Sequence, residues 1–190
     1  MDLLRGTLAR RTAVWTAVLA SLPVMAWIPL RAQPPLQSLE EYQLKAAFLY
    51  NFAKFVDWPV PDGDGKEPLV IVVLGRDPFG PVLENTLWGK TIHTRPLVVR
   101  RVSRIEEVMP CHVLFIGNLE RRRLRQALAA VEGAAVLTVS EVEDFLEQGG
   151  AVQFVPDGNK VRFEINLGAA RRSGLNISSK LLSLARAVKH

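Results

Sequence analysis

The stretch "LVIVVLG", residues 69–75, decides the fold class, because it is an uninterrupted aliphatic run without a charged residue. Such a run predicts a strand that is buried on both faces, as in a parallel sheet covered by helices. Two more runs of this kind follow, "HVLFIG" at 112–117 and "AVLTVS" at 135–140. The stretch "RPLVVRRV" at 95–102 alternates more between apolar and polar residues, and it predicts a strand nearer the edge of the sheet.

The segments between the predicted strands have helical patterns. After the first strand, "RDPFGPVLENTL" (76–87) predicts a loop and a short helix, with Asp77 as its cap and Pro78 at its first position. Residues 119–132 predict an arginine-rich amphipathic helix, and "VEDFLEQ" at 142–148 predicts a further short helix. Strands that alternate with helices in this way are typical of a three-layer α/β domain.

The last forty residues change in character. In "AVQFVPDGNKVRFEINL", two alternating strands flank residues 157–159, Asp-Gly-Asn, which is typical of a β-hairpin. "NISSKLLSLARAV" at 176–188 predicts a helix that is capped by Asn176 or Ser178. We expect four of its residues to pack inward: Leu181, Leu184, Ala185 and Val188. The fold class is therefore α/β, a three-layer sandwich with a mixed, mostly parallel sheet that ends in an antiparallel hairpin.

An apolar helix precedes the first strand. It is predicted from Leu39 to Val56, and the residue before Pro59 ends it because that residue avoids the helical region. Apolar side chains cover most of its circumference, so it is chiefly a core element, with contact to a partner protein as the alternative. Charged residues interrupt it and disfavour membrane insertion. Three side chains of the segment 42–59 are candidates for partner contact: Tyr50, Lys54 and Trp58.

The amino terminus has the pattern of an export signal. Arginines at positions 5, 10 and 11 precede an uncharged run over residues 12–30. We assign residues 1–32 to a signal peptide, 33–40 to a linker and 41–190 to the α/β domain. The expected location is the periplasm, and an uncleaved inner-membrane anchor is the alternative.

Charge gives no case for nucleic acid as a partner. The formal net charge of +5 falls to about +2 without residues 1–32, which hold four arginines and one aspartate. A basic cluster remains at 121–125, where a solvated helix face is the plain interpretation. Attraction to anionic headgroups or to an acidic partner is the alternative.

The sequence offers no convergent set of catalytic or metal-binding residues. Cys111, the single cysteine, is expected to be a half-buried free thiol without a disulfide partner. The histidines at 93, 112 and 190 have no ligand spacing, and no nucleophile has a placed base. We therefore predict no enzyme activity, no metal and no cofactor. A second candidate contact surface is formed by Glu164, Asn166, Arg171 and Arg172, with support of the fold as its alternative role.

Four stretches stand in a characteristic order and spacing: "YQLKAAFLYNFAKFVDWP", "VVLGRDPFG", "CHVLFIG" and "VLTVSEVEDFLEQGGAVQFVPDGNKVRFEINLGAARRSGLNISSKLLSLA". Together they resemble the YfiR family of exported proteins, which is typified by the periplasmic repressor of a membrane diguanylate cyclase. The resemblance covers residues 41–187, nearly the whole predicted domain.

The resemblance implies a regulatory binding protein. It implies that the chain holds the periplasmic part of an inner-membrane diguanylate cyclase inactive and so lowers cyclic di-GMP, that an outer-membrane lipoprotein sequesters it, and that it forms homodimers. The family often pairs a cysteine in the first strand with one at the position of Cys111, but this first strand has none. The alternative function is a periplasmic sensor of a small ligand, a nucleotide or metabolite, that reports to a receptor.

Overall fold

The computed structural model describes residues 36–59, 67–118, 121–158 and 160–190. The predicted signal peptide, residues 1–32, lies outside the described residues. Within the described ranges, no helix is both long enough and apolar enough to cross a membrane.

The described elements follow the predicted alternation of strands and helices. The helices are α1 (Leu36–Phe55), α2 (Val82–Leu87), α3 (Arg121–Ala130), α4 (Leu167–Arg172) and α5 (Ser179–Leu182), with a single 3₁₀ turn over Ile105–Glu107. The strands are β1 (Val56–Asp57), β2 (Leu69–Leu74), β3 (Thr91–Ile92), β4 (Arg95–Val102), β5 (Val113–Ile116), β6 (Leu137–Ser140), β7 (Val152–Asp157), β8 (Lys160–Asn166), β9 (Asn176–Ile177) and β10 (Ala187–Lys189). Helix α1 begins at Leu36, so it takes in residues that the sequence assigned to a linker.

The main sheet confirms the predicted mixed, mostly parallel arrangement. Its order is β10-β8-β7-β6-β5-β2-β4-β3, and β2, β4, β5, β6 and β7 run parallel to one another. Strand β8 returns antiparallel to β7 in the predicted hairpin, and the two-residue strand β3 pairs antiparallel with β4. Strand β2 lies inside the sheet between β5 and β4, which explains its unbroken run of apolar residues.

Helices cover both faces of the sheet and close two cores. On one face, α1, α2, α4 and α5 pack on side chains such as Ile71, Val73 and Phe115. On the other face, α3 packs on Val72 and Leu74, which belong to the same strand, β2, as Ile71 and Val73. Alternate residues of β2 thus enter opposite cores, as the period of a strand requires.

Four phenylalanine rings fix α1 on the β7–β8 hairpin. The ring centroid of Phe52 lies 5.0 Å from that of Phe163 in an edge-to-face arrangement and 5.8 Å from that of Phe154. Phe48 lies 5.2 Å from Phe163 and stacks on Phe52 at 6.1 Å. This contact confirms α1 as chiefly a core element, because edge-to-face and offset rings add to the energy of burial.

Two predicted helices differ from the structure. Residues 142–148 form consecutive turns in place of a helix, and Asp144 has a φ of 59°, which interrupts a right-handed helix. The final helix is only α5, with Ser178 accepting a hydrogen bond from Leu181 N–H at its start. The chain then forms β10 beside β8, which leaves Leu184 exposed and pairs Val188 with Ile165. An open edge of β8 offers a full ladder of hydrogen bonds, and it overrides the helical pattern.

The predicted cap of α2 is also wrong. Asp77 Oδ1 accepts from Phe79 N–H at 2.8 Å and so forms a turn over the next two residues, whereas α2 starts only at Val82. The other oxygen of Asp77 pairs with the guanidinium of Arg101 at 2.6 Å, and Arg101 also binds Glu84. Asp77 therefore ties the loop after β2 to strand β4.

Cys111 is a free thiol that is buried rather than half-buried. Burial raises the pKa of Cys111 to about 12, against a small opposing effect of the Arg100 charge. We expect the native protein to react with a thiolate-specific reagent roughly a thousandfold more slowly at pH 8 than the unfolded chain. The chain has one cysteine, so the absorbance released by a chromogenic disulfide reagent reports on this thiol alone. Equal rates in the native and denatured protein would contradict the buried position.

Candidate functional site

A crevice lies at the carboxyl ends of the interior strands β2, β5 and β6. From β2 the chain moves to β4 on one side and then crosses to β5 on the other, so the strand order reverses between β2 and β5. Open α/β sheets bind ligands at such a reversal point. A cavity of about 390 Å³ lies here, between Arg76, Asp77, Asn118 and Glu141, with Tyr42 at the start of α1 as a further wall.

The crevice opens into a larger groove of about 770 Å³ between the start of α1 and the β7–β8 hairpin. Tyr42, Asn118 and Glu141 line both spaces. Apolar side chains such as Phe154 and Val161 form the hairpin wall. The combined space is large enough for a small molecule, and it has one polar and one apolar side.

Lys45 is the central polar group of the groove. Only 5% of the residue is exposed, and its Nζ lies 2.6 Å from a carboxylate oxygen of Glu41 and 2.6 Å from one of Glu141. Burial disfavours the ammonium, but the hydrogen bonds to Glu141 and Glu41 outweigh it, and the pKa of Lys45 is raised. Tyr42 joins the cluster through its hydroxyl, 3.3 Å from Glu141, and its ring lies 4.5 Å from the ammonium. The lysine is therefore charged and held in place.

A hydroxyl fixes the strand end that carries Glu141. Ser140 is fully buried, its Oγ donates to Ile116 O at 2.7 Å, and it accepts from Val142 N–H at 3.1 Å. These bonds tie the end of β6 to the end of β5 next to the crevice. The groove is thus built on rigid strand ends, where polar groups hold their positions.

Sequence reasoning missed this cluster. Lys45 and Glu141 are 96 positions apart, and only the folded sheet brings them together. One signal was present: a lysine followed by two alanines within an apolar helix must find a partner when it is buried. Among the described residues, no group of three or more metal-ligating side chains is gathered here or elsewhere. The arrangement can hold a polar ligand.

The three candidates on the α1 segment lie near its carboxyl end. Lys54 is exposed, and its Nζ lies 5.9 Å from the centroid of the half-buried Tyr50 ring. Trp58 is half-buried, donates its indole N–H to Ala53 O at 3.0 Å and packs edge-on against His112. Lys54 and Tyr50 are thus open to a partner, whereas Trp58 also anchors the end of α1.

The second candidate surface divides into internal and exposed residues. Glu164 forms an ion pair with Arg186 at 2.5 Å. Asn166 caps α4 by accepting from Ala169 N–H at 2.9 Å, and it donates to Leu146 O at 3.1 Å. These two side chains support the fold, as the alternative interpretation has it. Arg171 and Arg172 remain exposed in the last turn of α4.

A two-stranded ribbon links the two candidate surfaces. Val56 pairs with Ile177 and Asp57 with Asn176, so β1 after α1 lies antiparallel to β9 after α4. Asn176 also donates to Asp57 Oδ2 at 3.0 Å. The sequence treated the two surfaces separately, and the ribbon places their ends next to each other.

His112 precedes strand β5, and each of its ring nitrogens faces a hydrogen-bond donor. Its Nδ1 faces Val70 N–H at 3.1 Å, and its Nε2 faces the Arg95 guanidinium at 3.0 Å. If the ring were protonated, both ring nitrogens would carry a hydrogen, and each N–H would point at another donor, Val70 N–H or the Arg95 guanidinium. Burial, and then the charge of Arg95, lower the pKa of His112, against a smaller opposing effect of Glu67.

We expect acidification to destabilise the protein through His112. Because the folded-state pKa lies below its usual value of about 6.5, the unfolded chain takes up the proton first. The free energy of unfolding therefore falls as pH drops below about 6.5 and continues to fall until the folded-state pKa is passed. Urea midpoints measured between pH 8 and pH 5 test this. His112→Asn, which keeps an acceptor near Nδ1, should flatten the pH dependence in this range, and an unchanged slope would contradict the assignment.

Comparison with known proteins supports the observed fold. A family model described as YfiR/HmsC-like matches residues 42–186. Two solved structures are similar: a conserved domain protein from Vibrio cholerae O1 biovar El Tor (13% identity, TM-score 0.49) and an ABC domain in complex with L-Trp from Streptococcus pneumoniae (11% identity, TM-score 0.51). Each match covers 78% of this chain and 60% of the solved chain, so this chain spans about three fifths of each solved chain. At this identity the second structure supports the α/β fold alone.

Proposed function

Because the chain belongs to the YfiR/HmsC-like family, we propose that it represses a membrane-bound diguanylate cyclase from the periplasm and so lowers cyclic di-GMP. Family membership implies a periplasmic regulatory protein in diguanylate cyclase signalling. The match over residues 42–186, which spans every described strand of the main sheet except β10, is the observation that carries the proposal.

Repression of this kind needs a modest difference in affinity. The protein must bind the inactive conformation of the cyclase more tightly than the active one. A hundredfold shift in that balance corresponds to about 2.7 kcal/mol, which lies within the usual range of coupling energies. An exposed surface with a few anchor residues is therefore sufficient.

The contact with the cyclase is proposed at the end of α4. Arg171 and Arg172 are exposed, and arginine is favoured at the centres of protein interfaces. Lys54 and Tyr50 on α1 are further candidates from the linked surface. Sequestration by an outer-membrane lipoprotein and homodimer formation are part of the same proposal, because they follow from the family resemblance.

The decisive experiment measures cyclic di-GMP in cells that lack the gene. Deletion should raise the level, and the wild-type gene should restore it. A double variant, Arg171→Ala with Arg172→Ala, should restore it poorly, whereas Arg104→Ala, another exposed arginine, should restore it fully. Unchanged levels under several growth conditions would overturn the repressor function. Co-purification of a cyclase with the mature protein would identify the target.

A second candidate function is small-ligand sensing, and the crevice at the strand reversal favours it. The groove into which the crevice opens holds the buried Lys45, which is fixed by Glu41 and Glu141. A ligand that binds only the folded state raises the melting temperature, because it stabilises that state by RT ln(1 + L/Kd), where L is the free ligand concentration. Nucleotides and amino acids are suitable probes in a thermal-shift series. A shift in the wild type that is lost in Lys45→Met, without any partner protein, would support sensing.

A further inference from the structure

Three lysines gather around two aromatic rings on the outer side of α1. The Nζ of Lys90 lies 4.9 Å from the Tyr50 centroid, on the ring that Lys54 also approaches. The Nζ of Lys180 lies 5.2 Å and that of Lys54 lies 5.5 Å from the centroid of Phe55. Lys54 thus connects the two rings, and the three lysines share one continuous basic surface.

The most exposed large apolar residue of the described chain lies beside this surface. Trp88, at the end of α2, is 87% exposed, and it stands two residues before Lys90 in the same turn. We call Lys54, Lys90, Lys180, Tyr50, Phe55 and Trp88 the basic-aromatic surface. A single exposed tryptophan is ordinary, but one in the turn that carries Lys90 brings an apolar side chain to the basic surface.

The three lysines have no acidic partner among the described residues. The ion pairs there join other cations, and none involves Lys54, Lys90 or Lys180. Asp57, three residues beyond Lys54, accepts a hydrogen bond from Asn176. The ammonium groups lie over the two rings, and no carboxylate of the described residues forms an ion pair with them.

We propose that the basic-aromatic surface binds the headgroups of an anionic phospholipid membrane. Tryptophan prefers the boundary of water and lipid, where its ring is buried and its N–H stays hydrated. Lysines next to it are attracted to anionic headgroups. The surface lies on the outer side of α1 and on the turn after α2, away from the groove, so it suits an extended bilayer better than an acidic peptide strand.

This contact goes beyond the proposed repression and does not depend on which enzyme is the target. It would hold the protein on the periplasmic side of the inner membrane with α1 facing the lipid. Lys54 and Tyr50 are candidates for both contacts. Lys90, Lys180 and Trp88 lie outside the proposed cyclase contact, so mutations at these residues separate lipid contact from the protein contact of Arg171 and Arg172.

Co-sedimentation with vesicles tests the proposal. The mature protein recovered from periplasmic extract is mixed with vesicles of phosphatidylglycerol and phosphatidylcholine, or with phosphatidylcholine alone. We expect binding to the anionic vesicles only, and loss of that binding at high salt because the charges are exposed. Replacing Lys54, Lys90 and Lys180 with alanine should weaken binding by about fivefold for each lysine removed. In the wild type, anionic vesicles should shift the tryptophan emission to shorter wavelength. Trp88→Ala should weaken vesicle binding further and remove this shift.

A matched triple variant carries the control. Alanine at Arg104, Arg125 and Lys160 removes the same charge from exposed positions elsewhere, including the α3 basic cluster. It should bind anionic vesicles as the wild type does, and equal loss in the two triple variants would overturn the assignment. Absence of vesicle binding would also overturn it. So would a lysine triple variant that binds vesicles normally but no longer co-purifies with a cyclase, since the surface would then meet a protein.

Discussion

Phe52→Ala is expected to cost about 3–5 kcal/mol of stability, among the largest effects of any single change in the chain. Phe52 is fully buried and contacts Phe48, Phe154 and Phe163, so its removal leaves a cavity between α1 and the hairpin. The surrounding rings belong to a helix and two strands that cannot collapse together, and the cavity therefore stays open. Urea unfolding followed by circular dichroism measures the loss.

The control lies two turns earlier on the same helix. Leu44 is 44% exposed, and Leu44→Ala should change stability by no more than about 0.5 kcal/mol. A small effect of Phe52→Ala, comparable with that of Leu44→Ala, would show that α1 is not packed on the hairpin as described. If Phe52→Ala lowers stability as expected, loss of repression in cells follows from lower abundance of the protein, because a few kcal/mol is a large part of a domain's total stability.

The strands that sequence predicted well are those buried on both faces. Strands β2, β5 and β6 have runs of apolar residues that only a covered parallel sheet explains, and the hairpin has its own turn residues. These patterns are local, so a single sequence contains them. The same holds for α1, because an apolar helix with Phe48 and Phe52 on one face must pack on a core.

The features that sequence missed depend on distant partners. Strand β10 has a helical pattern in isolation, and its pairing with β8 decides its structure. Asn166 alternates with apolar residues as a surface residue would, but its amide is used by α4 and by Leu146. The sequence shows Lys45 as a lysine within an apolar helix but does not show its partner, since Glu141 reaches it only in the folded protein. Candidate site residues were therefore predicted by chemistry, and their roles were decided by contacts that sequence spacing does not contain.

Gly117→Ala is expected to give the second large effect, and it acts on the crevice itself. A Cβ at Gly117 would lie 2.2 Å from the carbonyl oxygen of Arg76 and 3.2 Å from its carbonyl carbon. Both atoms are backbone, so no side-chain rotation relieves the contact. The loops after β2 and β5 must move apart, and such overpacking costs about 1–3 kcal/mol. Thermal or urea unfolding measures this cost.

The same substitution separates the two candidate functions. Gly117 N–H donates to Leu74 O at 3.0 Å, so a shift of this segment moves the wall between β2 and β5 where a ligand would lie. Asn118→Ala, at the exposed neighbouring position, is the matched control and should leave stability nearly unchanged. If the crevice serves a ligand, Gly117→Ala should abolish the ligand-dependent thermal shift while folded protein still co-purifies with the cyclase. Unaltered stability in Gly117→Ala would contradict the close approach of the two loops, on which the shape of the crevice depends.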